Sequence, residues 1–423
     1  MKIVINTSHQ RFGGGVQVAW SFINESRKFP GHEYHVWVGP AIAALLDERN
    51  FPENFHFYRA DFGAIRLRTI RRIQQELSRL EARIRPDVII STTGPSYFKS
   101  HAPQVIGYNL PLYIYPESPY LRDISFYRWI RYRIKKLLHF YFFRRDGAAF
   151  LTQTDDVNVR VRKALKTERV FTVTNTYSHL YENWNTYPTK VQALDVHKLD
   201  VHEPGMHAQA KGATGPGSAS HQPEFRFLTL TSYYLHKNLE ILPEVVAELR
   251  ARGFGHVRFV TTMKQEDFDY YLGSVLKDLN DGGIGDEGIV GGGILDGGIV
   301  NIGPVKPEEC PSLYAECDGL FLPTLAECFS AAYPEAMVME KPIVTTDLGF
   351  ARSICGDAAI YYEPKVAVSA ADAIVRLLTE SGLQEKLIEN GKRRVERFDS
   401  AADRAGKILK VCEQVAYQSE EGK

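Results

Sequence analysis

No window of the chain approaches the ~20 uncharged apolar residues of a membrane-spanning helix. Cysteine is scarce and confined to the C-terminal third: Cys310, Cys317, Cys328, Cys355 and Cys412 are the full set. Their number is odd and no C-x-x-C occurs, which suits a reduced, cytosolic setting. Neither sign of charge is in excess, since 51 Lys+Arg balance 51 Asp+Glu, so net charge argues neither for nor against a polyanionic partner. The opening MKIVINTSHQ enters a strand-like run directly and is read as carrying no signal peptide. The dinucleotide fingerprint G-x-G-x-x-G is also missing from the first turn. What remains is ordinary globular material, 44% hydrophobic and 24% charged over 423 residues. That length suggests about two to three domains.

Residues 2–6 read as a short buried strand. It runs through Gly13-Gly14-Gly15 into a helical pattern, and strand, glycine turn and helix open a doubly wound α/β domain. A plain structural turn is one reading of the glycines; a turn that brings backbone close to a ligand phosphate is the other. Strands follow at 34–38, 86–94, 104–108, 148–153 and 170–175, with helical segments between them. Two helical stretches, 66–85 and 122–145, are strongly basic. The second interleaves Arg128, Arg131, Arg133, Lys135 and Lys136 with Phe126, Tyr127, Trp129 and Tyr132. Such a helix is either a solvated face over an apolar underside or a surface for anionic lipid.

Residues 190–223 are rich in Gly, Pro and Ser and read as a linker or surface insertion, whose four histidines suit a solvated tract better than a metal site. A second α/β pattern begins at Phe225. It is interrupted by a repeated Gly-Gly-Ile run, 281–298, for which a mobile surface loop is the default reading.

The most informative stretch is FLPTLAECFSAAYPEAMVMEKP, residues 321–342. An apolar run ends at Leu322, a polar turn holds Glu327, and Ser330 and Pro334 mark a helix start with Glu335 in its first turn. Ionised carboxylates suit sugar and ribose hydroxyls, and a helix start suits a phosphate. Glu327-x7-Glu335, preceded by Leu322-Pro323-Thr324 and followed by Lys341-Pro342-Ile343-Val344-Thr345-Thr346-Asp347, resembles the donor-site signature of retaining GT-B glycosyltransferases, most closely family four of that classification. Asn301-Ile302-Gly303-Pro304-Val305 and His236-Lys237-Asn238 sit where that family has its nucleobase loop and its phosphate-binding basic residue.

The resemblance implies two Rossmann-like parallel-sheet domains facing a cleft. Their expected extents are 1–178 for the acceptor half and 224–400 for the nucleotide-sugar half, with a linker at 179–223 and a last helix, 401–423, crossing back. It implies transfer of a sugar from a nucleoside diphosphate to an acceptor hydroxyl with retained configuration. No essential metal or cofactor is implied. Glu327 would contact the sugar and is the catalytic candidate. Glu335 would bind ribose and Val305 the base side. Lys237, the amides of Phe329 and Ser330, and Gly14 and Gly15 would meet the diphosphate. Asn109 stands on the acceptor side where many members carry His, and Ser232 stands where an Arg is common. Cys328 reads as a small packing residue, and His9 as either a structural histidine or a ligand contact. The expected acceptor is a saccharide or a lipid-linked polysaccharide precursor. The expected location is cytoplasmic, with a peripheral position on the inner membrane face as its further option, and no nucleic acid is involved. A sugar-nucleotide epimerase and a non-catalytic GT-B-like binding protein are the alternatives.

Overall fold

The computed structural model describes residues 1–11, 13–63, 65–181, 223–270, 294–295 and 298–421. Residues 182–222 of the expected linker and most of the Gly-Gly-Ile run therefore lie outside the described residues.

The first domain alternates strands and helices: β1 (Lys2–Asn6), α1 (Gly14–Ser26), β2 (Glu33–Val38), α2 (Pro40–Ala43), β3 (Phe55–Arg59), α3 (Leu67–Ile84), β4 (Val88–Ser91), β5 (Gln104–Gly107), α4 (Phe126–Asp146), β6 (Ala149–Thr152), α5 (Asp155–Leu165) and β7 (Val170–Thr172). The second holds β8 (Phe225–Thr229), α6 (Leu242–Ala251), β9 (Val257–Thr261), β10 (Ile294–Leu295), β11 (Ile299–Asn301), α7 (Cys310–Ala315), β12 (Gly319–Leu322), α8 (Ala332–Val338), β13 (Ile343–Thr346), α9 (Gly349–Cys355), β14 (Ala359–Tyr362), α10 (Ala367–Thr379) and α11 (Leu383–Val395). A last helix, α12 (Ala401–Glu421), follows.

Each domain is built on a seven-stranded sheet, ordered β3-β2-β1-β4-β5-β6-β7 and β10-β11-β9-β8-β12-β13-β14. All pairings in the first sheet are parallel, and only β10 runs antiparallel in the second. The strand order reverses at β1 and at β8, so a crevice opens at the carboxyl end of each sheet at those points. Central strands are apolar runs because helices cover both faces. Ile3, Val4 and Ile5 of β1, and Leu320, Phe321 and Leu322 of β12, are buried.

Edge strand β3 was not expected. Its sequence, FHFYR, carries polar side chains on a half-exposed strand, which blurs the signal. Ile294–Leu295 inside the expected loop forms the short β10. α12 returns to the first domain, where Ala405, Ile408, Leu409, Cys412 and Val415 share a core with Ile3, Ile5, Phe22 and Val36. Among the described residues no helix is long and apolar enough to cross a membrane.

In the second core, Phe321 lies 5.1 Å from Phe259 and 5.6 Å from Tyr362, ring centroid to centroid. Phe321→Ala should cost the second domain about 3–5 kcal/mol. A urea midpoint unchanged from wild type would refute that packing.

Candidate active site

In the second domain the chain leaves β8 and makes a tight turn, Leu235–Lys237, closed by Asn238 in the left-handed region at φ 56°. The carbonyl of His236 accepts from the Leu325 amide at 2.8 Å and from the Thr324 hydroxyl at 3.3 Å. The Thr324 carbonyl in turn accepts from the Thr346 hydroxyl at 2.7 Å. The loops that follow β8 and β12 are thus stitched together at the strand ends, and Lys237 Nζ meets Glu327 Oε1 as an ion pair. Both side chains are mostly buried, with 14% and 13% of their surface exposed. A buried pair of this kind costs desolvation and holds its geometry only while both partners are present. Burial pushes the neighbouring His236 down to about 4, with the Glu327 charge opposing and Lys237 reinforcing. The imidazole is therefore neutral near pH 7. Burial also raises the Cys328 thiol far above its ordinary range, which agrees with a packing role.

Glu335 lies in the first turn of α8 and accepts from the Tyr314 hydroxyl at 3.4 Å. Tyr181, at the end of the first domain, also bonds it, and its ring packs edge-on to Tyr314 at 5.8 Å. Burial lifts the Glu335 carboxyl to about 7 although both hydroxyls oppose the shift.

Ser330 departs from expectation. Ala331, already helical in conformation, occupies the cap position, and no side chain caps the helix. The Ser330 carbonyl instead accepts from the Tyr333 amide at 3.3 Å in a preceding turn. α8 has only seven residues, so its dipole is weaker than the sequence reading assumed.

The opposite wall belongs to the first domain. Gly13, at φ 77°, precedes α1 in a conformation that L side chains rarely adopt. A Cβ on Gly14 would meet nothing within 4 Å, whereas one on Gly15 would come within 3.1 Å of Thr93. The first turn of α1 has no acidic residue, so its free N–H groups present partial positive charge. Asn109 is exposed just beyond β5. His9 does not line the cleft: its Nε2 lies 2.9 Å from the Thr93 carbonyl, and burial lowers it to about 4.

These walls enclose one cleft of about 1510 Å³. Gly14, Gly15, Asn109, Lys237, Val305, Phe329, Glu327 and Glu335 all line it; Ser330 does not, and Ala331 takes that place. Three cations of α4, Arg128, Arg131 and Lys135, line the first-domain side at helical spacing. The solvated-face reading holds for α3, whose Ile73 and Leu77 are buried. In α4 the underside is apolar at Phe140, Phe142 and Phe143, but the outer face also exposes Phe126, Tyr127, Trp129, Ile134, Leu137 and Tyr141.

The domains also touch beside the cleft. Ser118 donates to the Leu325 carbonyl at 2.8 Å, Asp123 pairs with Lys365, and Tyr115 meets Phe350 edge-on at 6.1 Å. Tyr181, Tyr314 and the α4 cations were absent from the sequence-level site, and His236 entered it only as the neighbour of Lys237. The basic run of α4 and the His236-Lys237-Asn238 motif were the signals among them.

Residues 224–380 match the family model described as "Glycosyl transferases group 1". A glycosyltransferase from Rickettsia africae superposes with TM-score 0.66 at 14% identity, covering 98% of each chain. HepE of Anabaena, solved with UDP-glucose, does so with TM-score 0.64 at 15% identity over 100% of each chain. WaaG, a glycosyltransferase involved in lipopolysaccharide biosynthesis, gives TM-score 0.64 at 14% identity over 97% of this chain and 99% of its own. No curated sequence matches the chain. The fold is GT-B, and the second domain carries the sequence pattern of that glycosyltransferase family.

The Glu335 shift has a stability consequence. Its carboxyl rises from 4.5 to about 7 on folding, so in that window the folded chain binds more protons than the unfolded one. The group therefore lowers stability as pH rises through the window. Glu335→Gln should be more stable than wild type at pH 8 by about 1–3 kcal/mol, with the gap shrinking toward pH 5. A difference independent of pH in urea titrations would contradict the assigned burial.

Proposed function

We propose that the chain is a retaining, metal-independent glycosyltransferase that moves a sugar from a nucleoside diphosphate to an acceptor hydroxyl. The observation that carries this reading is the buried Lys237–Glu327 pair on the cleft wall, inside the segment that matches the family. The reaction builds negative charge on a leaving diphosphate and positive charge on the sugar ring, so a site needs donors for one and acceptors for the other.

Lys237 would turn from Glu327 to the diphosphate, freeing the carboxylate for sugar hydroxyls. Amides of the 329–331 turn and of Gly14 and Gly15 supply further donors, which matters because Ser232 offers no second cation. Glu335 takes the ribose, and Val305, on the loop after β11, flanks the base. Tyr181 brings the end of the first domain onto Glu335, which couples ribose binding to the domain junction. With no carboxylate or histidine of the first domain at the Asn109 position, the leaving phosphate takes the acceptor proton.

The acceptor occupies the first-domain wall beside Asn109 and the α4 cations. The exposed aromatics of α4, next to its arginines and lysines, suit a lipid-linked acceptor at the cytoplasmic face of an anionic membrane.

A thermal-shift screen of nucleotide sugars should single out one donor, because a bound donor stabilises the fold by mass action. With that donor, Lys237→Ala and Glu327→Ala should each lose about 100-fold or more in transfer rate. Wild-type activity in either variant would overturn the site. Product formation from donor alone, without acceptor, would turn the reading to an epimerase. Vesicles with anionic lipid should sediment the protein and neutral vesicles should not; equal, negligible binding to both would remove the membrane from the proposal.

A further inference from the structure

Away from the cleft, the outer strands of the first sheet bring two imidazoles and a carboxylate together. β2 and β3 run parallel with His35 opposite His56. Glu33 stands two residues before His35 on the same strand, and alternate strand residues share a face. The three side chains therefore converge on one patch. His35 Nε2 lies 3.0 Å from Glu33 Oε1, His56 Nε2 lies 3.5 Å from the same oxygen, and all three ligand atoms fall within 4.8 Å of one another.

From these positions we infer that Glu33, His35 and His56 form a divalent-metal site for a borderline transition ion such as Zn²⁺. Tetrahedral bonds of about 2.0–2.1 Å set ligand atoms about 3.3 Å apart. The two distances to Glu33 bracket that edge; the imidazoles, stacked with centroids 4.8 Å apart, must tilt toward each other to close the third. Two imidazole nitrogens and one carboxylate oxygen favour zinc, cobalt or nickel over magnesium or calcium. His35 also has the outer partner that ligating histidines usually keep: its Nδ1 lies 3.0 Å from the Tyr58 hydroxyl. With the metal on Nε2, Nδ1–H donates to that oxygen and fixes the ring. His35 is 5% exposed and forms the floor, while the His56 side chain is 43% exposed and leaves a path for the ion and a fourth position for water.

The cluster lies toward the amino-terminal ends of β2 and β3, whereas the cleft opens at the carboxyl ends. The ion would be structural, clipping edge strand β3 to its neighbour, where an exposed edge otherwise invites fraying or association. This inference does not depend on the proposed transfer reaction.

The test uses the full chain without a histidine tag, stripped by chelation and titrated with Co²⁺ and then Zn²⁺ near neutral pH. One equivalent should bind, with Co²⁺ bands of nitrogen and oxygen ligation, and Zn²⁺ should displace it. Zn²⁺ should raise the thermal midpoint of wild type. His56→Gln, at an exposed position, should weaken binding at least tenfold and lose the thermal shift, and Glu33→Gln should do the same. Mg²⁺ should have no effect. No stoichiometric binding, a thiolate charge-transfer band, or equal affinity in His56→Gln would overturn the site.

Discussion

A parallel sheet sends the carboxyl ends of its strands to one edge, and this molecule sets two such edges against each other. The candidate active site follows from that constraint. Gly13 to Gly15 leave β1, Asn109 leaves β5, Lys237 follows β8, Val305 follows β11 and Glu327 follows β12. Their positions are far apart in sequence, yet each stands one loop beyond a buried strand. The Leu325 amide and Thr324 hydroxyl bonded to the His236 carbonyl join the loops after β8 and β12, beside the Lys237–Glu327 ion pair.

The electrostatics of the cleft divide along the same line. On the second-domain wall Lys237 is held by a carboxylate beside a histidine that burial keeps neutral, and Lys306 lines the cleft nearby. On the other wall the start of α1 offers main-chain dipole, and α4 offers side-chain charge. Under the proposed transfer, a diphosphate held between the walls would draw on donors from both. Contacts such as Ser118–Leu325 and Asp123–Lys365, made where the domains meet, therefore bear on chemistry as well as on shape. The helix α12 ties the arrangement by carrying the end of the chain back into the first core.

Much of this was legible in residue order. Apolar runs bounded by turns located the central strands, because full burial on both faces demands continuous Val, Ile, Leu and Phe. The Glu327-x7-Glu335 spacing with its flanks pointed to a donor site, and the family match over 224–380 covers the same ground. β3 escaped because an edge strand needs only one buried face and tolerates His and Tyr. Ser330 misled because a preferred cap residue is only a preference; a turn one step earlier used its carbonyl instead. Tyr181 on Glu335 could not have been read, since the two are separated by a whole sheet and meet only after the domains dock.

The sequence by itself determined the two α/β halves, the glycine turn, the basic aromatic helix and the pair of glutamates, because each is encoded by local pattern: burial period, turn chemistry, charge spacing. Tertiary structure alone decided that Lys237 neutralises Glu327, that burial raises Glu335 and lowers His236, and that one face of α4 turns into the cleft. Desolvation and through-space pairing depend on what the rest of the chain packs around a group, and no local stretch of residues carries that information.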